Sequence, residues 1–109
     1  MANTFKLKTK ANVGVTTVGI YTAPAATTTV VIGIKMANTS GSGVNVGVGI
    51  TRAGTTENVK LLKNAPIPQG SSLEFMAGNM IVLEATDTVT VDSDTNNSVD
   101  AALTIMVIT

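Results

Sequence analysis

Side chains that could bind a metal ion are concentrated in one acidic turn, residues 92–97, which reads Asp-Ser-Asp-Thr-Asn-Asn. Asp92, Asp94 and Asn96 match the first three ligand positions of an EF-hand calcium loop. Asn97, however, stands where that loop needs its sharp-turn glycine, and Leu103 stands where it needs a bidentate glutamate. The pattern therefore favours an ordinary hairpin turn rich in aspartate and asparagine, and we expect no metal site.

The composition lacks several of the side-chain types that most enzymes use for catalysis. The sequence contains no histidine and no cysteine, which removes imidazole bases, thiolate nucleophiles, zinc ligands and disulfides. Serine and threonine are abundant, but only a lysine could activate one, and nothing in the sequence marks a Ser-Lys dyad. We expect no catalytic residues and no cofactor, and we predict a protein that is not an enzyme.

Two glycines, Gly47 and Gly49, raise the question of a phosphate-binding loop. They alternate within a strand pattern and no helix pattern follows, whereas a phosphate cradle needs backbone amides that converge at a helix start. Close packing of a neighbouring backbone or subunit against that face is the better interpretation.

Three lysines, Lys6, Lys8 and Lys10, alternate with Phe5, Leu7 and Thr9 near the N-terminus. This spacing predicts a strand with an apolar buried face and a basic exposed face. The lysines either prevent edge-to-edge pairing of an edge strand or form a docking strip for an acidic surface or phosphate. Seven basic residues balance seven acidic ones, so the chain lacks the net field of a general nucleic-acid binder.

The elements that position these residues read as short β-strands. Hydrophobic residues make up 44% of the chain and aromatic residues 3%, which predicts an aliphatic core rich in β-branched side chains. Residues 64–92 alternate turn residues with short apolar runs, and residues 65–70, with two prolines and Gly70, predict a rigid corner. Residues 27–36 and 44–51 are two alternating runs joined by a glycine-bearing turn, which predicts a long hairpin.

The last strand, residues 98–109, has an unusual outer face. Its inward positions are apolar, but Met106 and Ile108 on the opposite face also lack a polar neighbour after Thr104. This predicts either a second covered face or a subunit contact. The alternation predicts a core formed by Val30, Ile32, Ile34, Val44, Val46, Val48, Leu73, Val89, Val91, Leu103 and Ile105.

Together these patterns predict an all-β chain, a single antiparallel β-sandwich of about eight or nine short strands. The topology is either jelly-roll or immunoglobulin-like, and residues 1–109 form one domain. The sequence shows neither a signal peptide nor a run of about 20 apolar residues, so we expect a soluble chain made inside a cell and no membrane contact.

Five stretches carry a resemblance to a family: residues 5–10 (FKLKTK), 20–25 (IYTAPA), 30–34 (VVIGI) with 37–40 (ANTS), 62–73 (LKNAPIPQGSSL) and 83–91 (LEATDTVTV). They resemble the small β-sandwich virion structural proteins of tailed bacteriophages, and the similarity extends over nearly the whole chain. Where such proteins often have Gly-Asp before the penultimate strand, this chain has Thr86 and Asp87.

The resemblance implies a virion structural role. We expect a non-enzymatic head decoration or cement protein that binds the major capsid protein or other virion proteins in multiple copies, as a homo-oligomer and without nucleic acid. A neck, tail or fibre component is one alternative, and a carbohydrate- or host-surface-binding module is another. Few aromatic residues are available for stacking on sugars, which disfavours the last. The candidate interface residues are Lys6, Lys8, Lys10, Met106 and Ile108.

Overall fold

The computed structural model describes residues 3–52, 54, 57–75 and 80–108. Every regular element in these ranges is a β-strand, as the alternating pattern predicted. The strands are β1 (Asn3–Val13), β2 (Val18–Thr22), β3 (Thr28–Asn38), β4 (Val44–Arg52), β5 (Glu57–Ile67), β6 (Ser72–Phe75), β7 (Ile81–Leu83), β8 (Thr88–Ser93) and β9 (Val99–Ile108). Nowhere in the described ranges is there a helix with the length and hydrophobicity that a membrane span requires.

The strands form two antiparallel sheets whose order is that of a jelly roll. Sheet 1 has the order β1-β9-β3-β6, with β7 also paired to β3, and sheet 2 has the order β2-β8-β4-β5. β6 and β7 pair with residues 34–37 and 29–31 of β3, so together they fill one strand position. The eight positions are then connected as the two Greek keys of a jelly roll. The predicted β-sandwich is confirmed, and the strand order selects the jelly roll over the immunoglobulin-like topology.

The hairpin predicted from β3 and β4 is wrong. β3 pairs with β9, β6 and β7 in sheet 1, whereas β4 pairs with β5 and β8 in sheet 2. The connection crosses between the sheets and is held by Asn38, whose buried amide donates to the carbonyl oxygens of Ser42 at 2.8 Å and Ile67 at 2.9 Å. Two alternating runs joined by a polar turn are compatible with a connection between two sheets as well as with a hairpin within one sheet. The sequence pattern therefore could not distinguish these two arrangements.

One aliphatic core fills the space between the sheets. Eight of the eleven predicted core residues are buried: Ile34, Val44, Val46, Val48, Val89, Val91, Leu103 and Ile105. Leu73 is half-buried and packs against this core. The prediction was wrong for Val30 and Ile32, which are partly exposed and do not belong to the core cluster.

A β-bulge in β3 explains that error. The register between β3 and β9 shifts between Val31 and Gly33, so Ile32 is an extra residue on the β3 side. Thr29 and Val31 face the core before the bulge, and Ile34 and Met36 face it after the bulge. The hydroxyl groups of buried Thr29 and half-buried Tyr21 are hydrogen-bonded at 2.9 Å, which satisfies the one polar side chain that the shift brings inward.

The predicted corner begins later than expected. β5 continues to Ile67, with Pro66 opposite Asn45 of β4. Proline is tolerated there because β5 lies at the edge of sheet 2, where its missing N–H would face solvent. The turn proper follows, with the Ser71 N–H donating to the Pro68 carbonyl at 3.1 Å and Gly70 at φ 72°.

Candidate functional site

The structure reverses the predicted faces of β1. Phe5 and Leu7 are 68% and 64% exposed, although the alternation predicted them to be buried. In the pairing with β9, Lys8 lies opposite Leu103 and Phe5 lies opposite Met106. Opposed residues of an antiparallel pair share a face, and Leu103 is in the core. The lysines therefore lie on the core side of sheet 1, and Phe5 and Leu7 lie on its outer face.

The edge position of β1 explains the reversal. At the flank of the sandwich a lysine stem can cover apolar surface while its ammonium group reaches water. Lys8 does so against β2, with its Nζ 5.9 Å from the centroid of the Tyr21 ring, within the range of a cation–π contact. Lys6 and Lys10 are exposed. An alternation of apolar and basic residues fits either orientation of such a strand.

An apolar row crosses the outer face of sheet 1 from edge to edge. Phe5 pairs with Met106, Met106 with Val30, and Val30 with Val82, one residue from each strand position. Val82 is 59% exposed, and Met106 and Val30 are partly exposed. We refer to these four residues as the apolar row. Ile108 lies beside it on the same face, one pleat further along β9.

The five predicted interface residues are therefore separated by the sheet. Met106 and Ile108 lie on the outer face, as predicted, whereas Lys6, Lys8 and Lys10 lie on the opposite side of β1. One flat partner cannot contact both sets. The outer face also contains Phe5, Leu7, Val30 and Val82. The sequence could not place these residues there, because the face on which each lies depends on strand pairing and on the bulge.

The other end of the same face is small at β1 and β9 and charged at β3 and β6. Thr9 pairs with Ala102, which leaves little bulk above these two strands, and the row continues to Lys35 and Glu74. A shallow groove runs here, lined in part by Thr9, Ala11, Ala37 and Ala102. We refer to it as the small-residue groove.

The outer face of sheet 2 has the opposite character. Thr22, Thr88, Thr51 and Asn58 form one row across its four strands, and their side chains are hydrogen-bonded in pairs. The hydroxyl oxygens of Thr22 and Thr88 lie 2.9 Å apart, and the Thr51 hydroxyl donates to the Asn58 side-chain oxygen at 2.9 Å. We refer to this as the polar face. These four side chains are hydrogen-bonded within the sheet, so they do not require a covering partner.

The predicted glycine role is confirmed within the polar face. A Cβ on Gly49 would come within 2.8 Å of the Val59 carbonyl oxygen, and one on Gly47 would meet the Leu62 carbonyl at 3.2 Å and overlap the Asp92 carboxylate. A neighbouring strand of the same sheet, not another subunit, makes the close approach. A side chain on Gly49 would displace β5, and one on Gly47 would press on β5 and push the Asp92 side chain aside.

The acidic turn does not gather its side chains around one point. Asp92 accepts a hydrogen bond from the Thr17 hydroxyl at 3.2 Å and lies 3.8 Å from the Lys60 ammonium, whereas Asp94 accepts from the Asn45 N–H at 3.1 Å. The Asn96 side-chain oxygen faces the Val15 N–H at 3.5 Å. In the part of the chain that the structure describes, no three Asp, Glu, His or Cys side chains converge as metal ligands would.

A charged clamp fixes the turn between β7 and β8. Arg52 at the end of β4 contacts Glu84 at 2.7 Å and the buried Asp87 carboxylate at 3.3 Å. Hydrogen bonding and charge from Asp87, reinforced by Glu84, raise the pKa of the Arg52 guanidinium above its ordinary value. Asp87 also accepts from the Glu84 N–H at 3.0 Å. Each group has a structural partner, so the cluster holds the turn and offers no free acid or base.

Comparison with known proteins gives similarity in fold only. No protein-family model matches the sequence, and no curated protein matches it either. The solved structure of Bacillus endospore appendages, which form disulfide-linked pili, aligns with a TM-score of 0.57 and 16% identity over 99% of this chain and 87% of that one. This chain has no cysteine, so it cannot form such links.

Two viral structures are also similar. A chain of infectious bursal disease virus, Gx strain, aligns with a TM-score of 0.57 and 15% identity over 96% of this chain. The match covers 32% of the viral chain, so this protein spans about a third of its length. A pentameric capsid protein from metagenomic phage sequences aligns at a TM-score of 0.48 and 15% identity, over 94% of this chain and 59% of that one. The two matches at 0.57 agree with the β-sandwich described above.

Proposed function

We propose that this chain is a non-enzymatic structural protein of a bacteriophage virion, a head decoration or cement protein that binds the assembled shell in multiple copies. The observation that carries the proposal is the contrast between the outer faces of the two sheets. One is polar and hydrogen-bonded within itself, while the other presents the apolar row to solvent. Contiguous exposed apolar surface on a sheet indicates a face that another protein covers.

The jelly roll alone would not decide among functions, since capsid proteins, lectins and cupin enzymes share it. An enzyme is disfavoured because the chain has no histidine or cysteine, and the Lys60 ammonium lies 3.8 Å from the Asp92 carboxylate in an ion pair. The buried Ser93 and Ser98 hydroxyls are hydrogen-bonded to each other at 2.7 Å. These contacts support a structural role.

The proposed partner is the major capsid protein or another virion protein, and the attachment is local. With equal numbers of acidic and basic residues the chain has no net field that could hold it on a charged particle. Met106 and Ile108, with the rest of the apolar row, supply buried apolar area. Lys6, Lys8 and Lys10 lie on the opposite side of β1, so they can pair only with acidic groups of a partner that wraps around this edge.

Electron microscopy of particles assembled with and without the chain tests this proposal. We expect added density at regular positions on the shell with the parent protein. A Val82→Lys variant should lose occupancy, whereas Asn58→Lys on the polar face should bind like the parent. Density at the neck, tail or fibre would support the alternative position on the virion, and absence from all particles would reject the proposal.

A binding module for carbohydrates or a host surface is the second candidate, favoured by one feature. The polar face contains a shallow groove lined in part by Thr17, Asn58, Lys60 and Thr90, whose polar groups could bind sugar hydroxyls. None of the described residues that line this groove is aromatic, so none can stack on a sugar ring. Glycan-array binding that Lys60→Ala abolishes would favour this candidate over the structural one.

A further inference from the structure

We propose that a second copy of this chain covers the outer face of sheet 1, in a two-fold contact centred on Thr104. The inference goes beyond the proposed function because it names the covered surface and its occupant for the purified chain. It does not rest on the virion assignment, and its test can fail or succeed independently.

The first observation is the division of the face into two unlike ends. The apolar row stands at one end, and the row that contains Thr9 and Ala102 stands at the other. Midway between them lies the row of Leu7, Thr104 and Gly33. Residues 106, 104 and 102 follow one another on β9 at every second position, so the bulky and small rows are equally far from Thr104.

This spacing makes the face complementary to itself. A two-fold axis that lies in the interface and crosses β9 at Thr104 places the apolar row of each copy over the small-residue groove of the other. Met106 then lies over Ala102 and Phe5 over Thr9, while Val30 and Val82 lie over the aliphatic stems of the oppositely charged Lys35 and Glu74. Packing the bulky rows on each other instead would hold the sheets apart at one end and leave a gap at the other, against the close packing of protein interfaces. Isologous contacts of this kind are the commonest in homo-oligomers.

The area of the face suffices for a stable contact. β9 has 10 residues, about 33 Å at the usual rise, and four strand positions at about 4.8 Å give a width of about 19 Å. The product is about 600 Å² per copy, or about 1,200 Å² for two, which reaches the lower end of standard protein–protein interfaces.

Charge does not oppose self-association. Seven basic residues balance seven acidic ones, so two copies do not repel each other as wholes. On the face itself, Lys35 of β3 lies directly opposite Glu74 of β6, so its two ionic side chains in that row carry opposite charges. A partner bound through charge would need a patch of one sign, which the described residues of this face do not form.

Cysteine crosslinking tests the geometry cleanly, because the natural chain has no cysteine. In the proposed dimer the two copies of residue 104 face each other across the axis. A short bismaleimide reagent should therefore convert most of a Thr104→Cys variant to a covalent dimer. Asn58→Cys, at a position on the polar face that is also exposed, is the matched control and should stay monomeric. Equal crosslinking of both variants, or none of Thr104→Cys, would overturn the proposal.

Sedimentation of the purified protein tests the energetics. Phe5→Lys and Val82→Lys alter exposed side chains, so each variant should fold like the parent by circular dichroism while its dimer dissociation constant rises at least about tenfold. Asn58→Lys should leave the constant unchanged. A parent that stays monomeric up to about 1 mM, or a dimer that both face variants retain, overturns the proposal.

Particle binding separates this inference from the proposed function. A monomeric parent whose binding to particles is lost in Phe5→Lys would mean that another virion protein covers the face, which rejects the second copy and keeps the virion role. A parent that dimerises as described but binds no particle would keep the second copy as the occupant of the face and reject the virion role.

Discussion

Two leucines in paired strands show that the surroundings of a residue determine its contribution to folding stability. Leu103 on β9 is fully buried, whereas Leu7 on the neighbouring strand is 64% exposed, and both occupy alternating apolar positions in the sequence. What separates them is that Leu103 points between the sheets and Leu7 points away from them. Their contributions to folding should differ accordingly, since burial determines the hydrophobic free energy.

Truncating these leucines to alanine should separate the core from the outer face. We expect Leu103→Ala to lower the free energy of unfolding by about 2–5 kcal/mol, because it opens a cavity in a packed core. Leu7→Ala removes the same atoms from an exposed position and should cost less than about 0.5 kcal/mol. Urea denaturation at low protein concentration measures both. Equal losses would mean that the face assignment of β1 is wrong.

Calcium should leave the acidic turn unaffected. Asp92 and Asp94 are directed to different partners, Thr17 and the Asn45 N–H, so their oxygens do not form a shared coordination shell. We expect millimolar calcium, or a chelator, to leave the melting temperature unchanged. A calcium-dependent rise that disappears in Asp94→Ala would show a site that the geometry does not predict.

At the residue scale, the sequence predicted which residues are buried better than it predicted which exposed residues form the outer face of sheet 1. Val46, Val91 and Leu103 could be placed because a strand buried on one side must alternate. Met106 and Ile108 could be found because an apolar run with no polar interruption leaves no side for water. Phe5 could not be placed, because its alternation with lysine suits both faces of an edge strand.

At the element scale, the turn between β7 and β8 contains a strained residue. Thr86 has φ 72°, a left-handed conformation that β-branched residues rarely adopt. The turn around it is overdetermined: Asp87 N–H donates to Glu84 O at 3.1 Å, Thr86 N–H to Ala23 O at 2.8 Å, and Arg52 holds both acidic side chains. Such surroundings can maintain local strain. The resemblance to phage proteins had singled out this position as one where glycine is common.

Replacing Thr86 with glycine should stabilise the fold. Glycine adopts φ above zero without the steric cost of about 1–2 kcal/mol that a side chain incurs, although it adds entropy to the unfolded chain. We therefore expect a net gain of up to about 1 kcal/mol in the free energy of unfolding. Thr88→Gly, two residues on in β8, is the matched control and should destabilise, since it loses a strand side chain and its hydrogen bond to Thr22. A loss in Thr86→Gly as large as in the control would show that the turn is not strained.

Strand existence was predictable from the sequence, and strand pairing was not. Alternation is a local property, so it revealed the strands and their approximate ends. Pairing depends on partners far along the chain: β3 joins β9 and not β4, and the bulge at Ile32 exists only relative to β9. The interface could not be placed without that register, because the apolar row takes one residue from each of four strand positions.

At the scale of the whole molecule, the sandwich has two outer faces with different requirements. The polar face satisfies its threonine and asparagine side chains in cross-strand pairs. The face of sheet 1 leaves apolar side chains in water, which costs free energy until a partner covers them. A small jelly roll with one polar, internally hydrogen-bonded face and one exposed apolar face is suited to bind another protein through the apolar face. That protein is either a second copy or a different chain.

The salt dependence of association tests which forces hold that contact. Buried apolar contacts are insensitive to ionic strength, whereas rim charges are screened as the Debye length falls from about 10 Å at about 0.1 M salt to about 3 Å at about 1 M. We expect the dissociation constant of the dimer to change by less than about threefold over this range, or about 0.7 kcal/mol. Replacing Lys6, Lys8 and Lys10 with glutamine should leave it unchanged as well, because those lysines lie on the other side of β1. Analytical ultracentrifugation at several salt concentrations measures both effects. Dissociation by salt, or in the triple glutamine variant, would mean that the lysines form the contact and the apolar row does not. The lysines would then act as the docking strip that their spacing predicts.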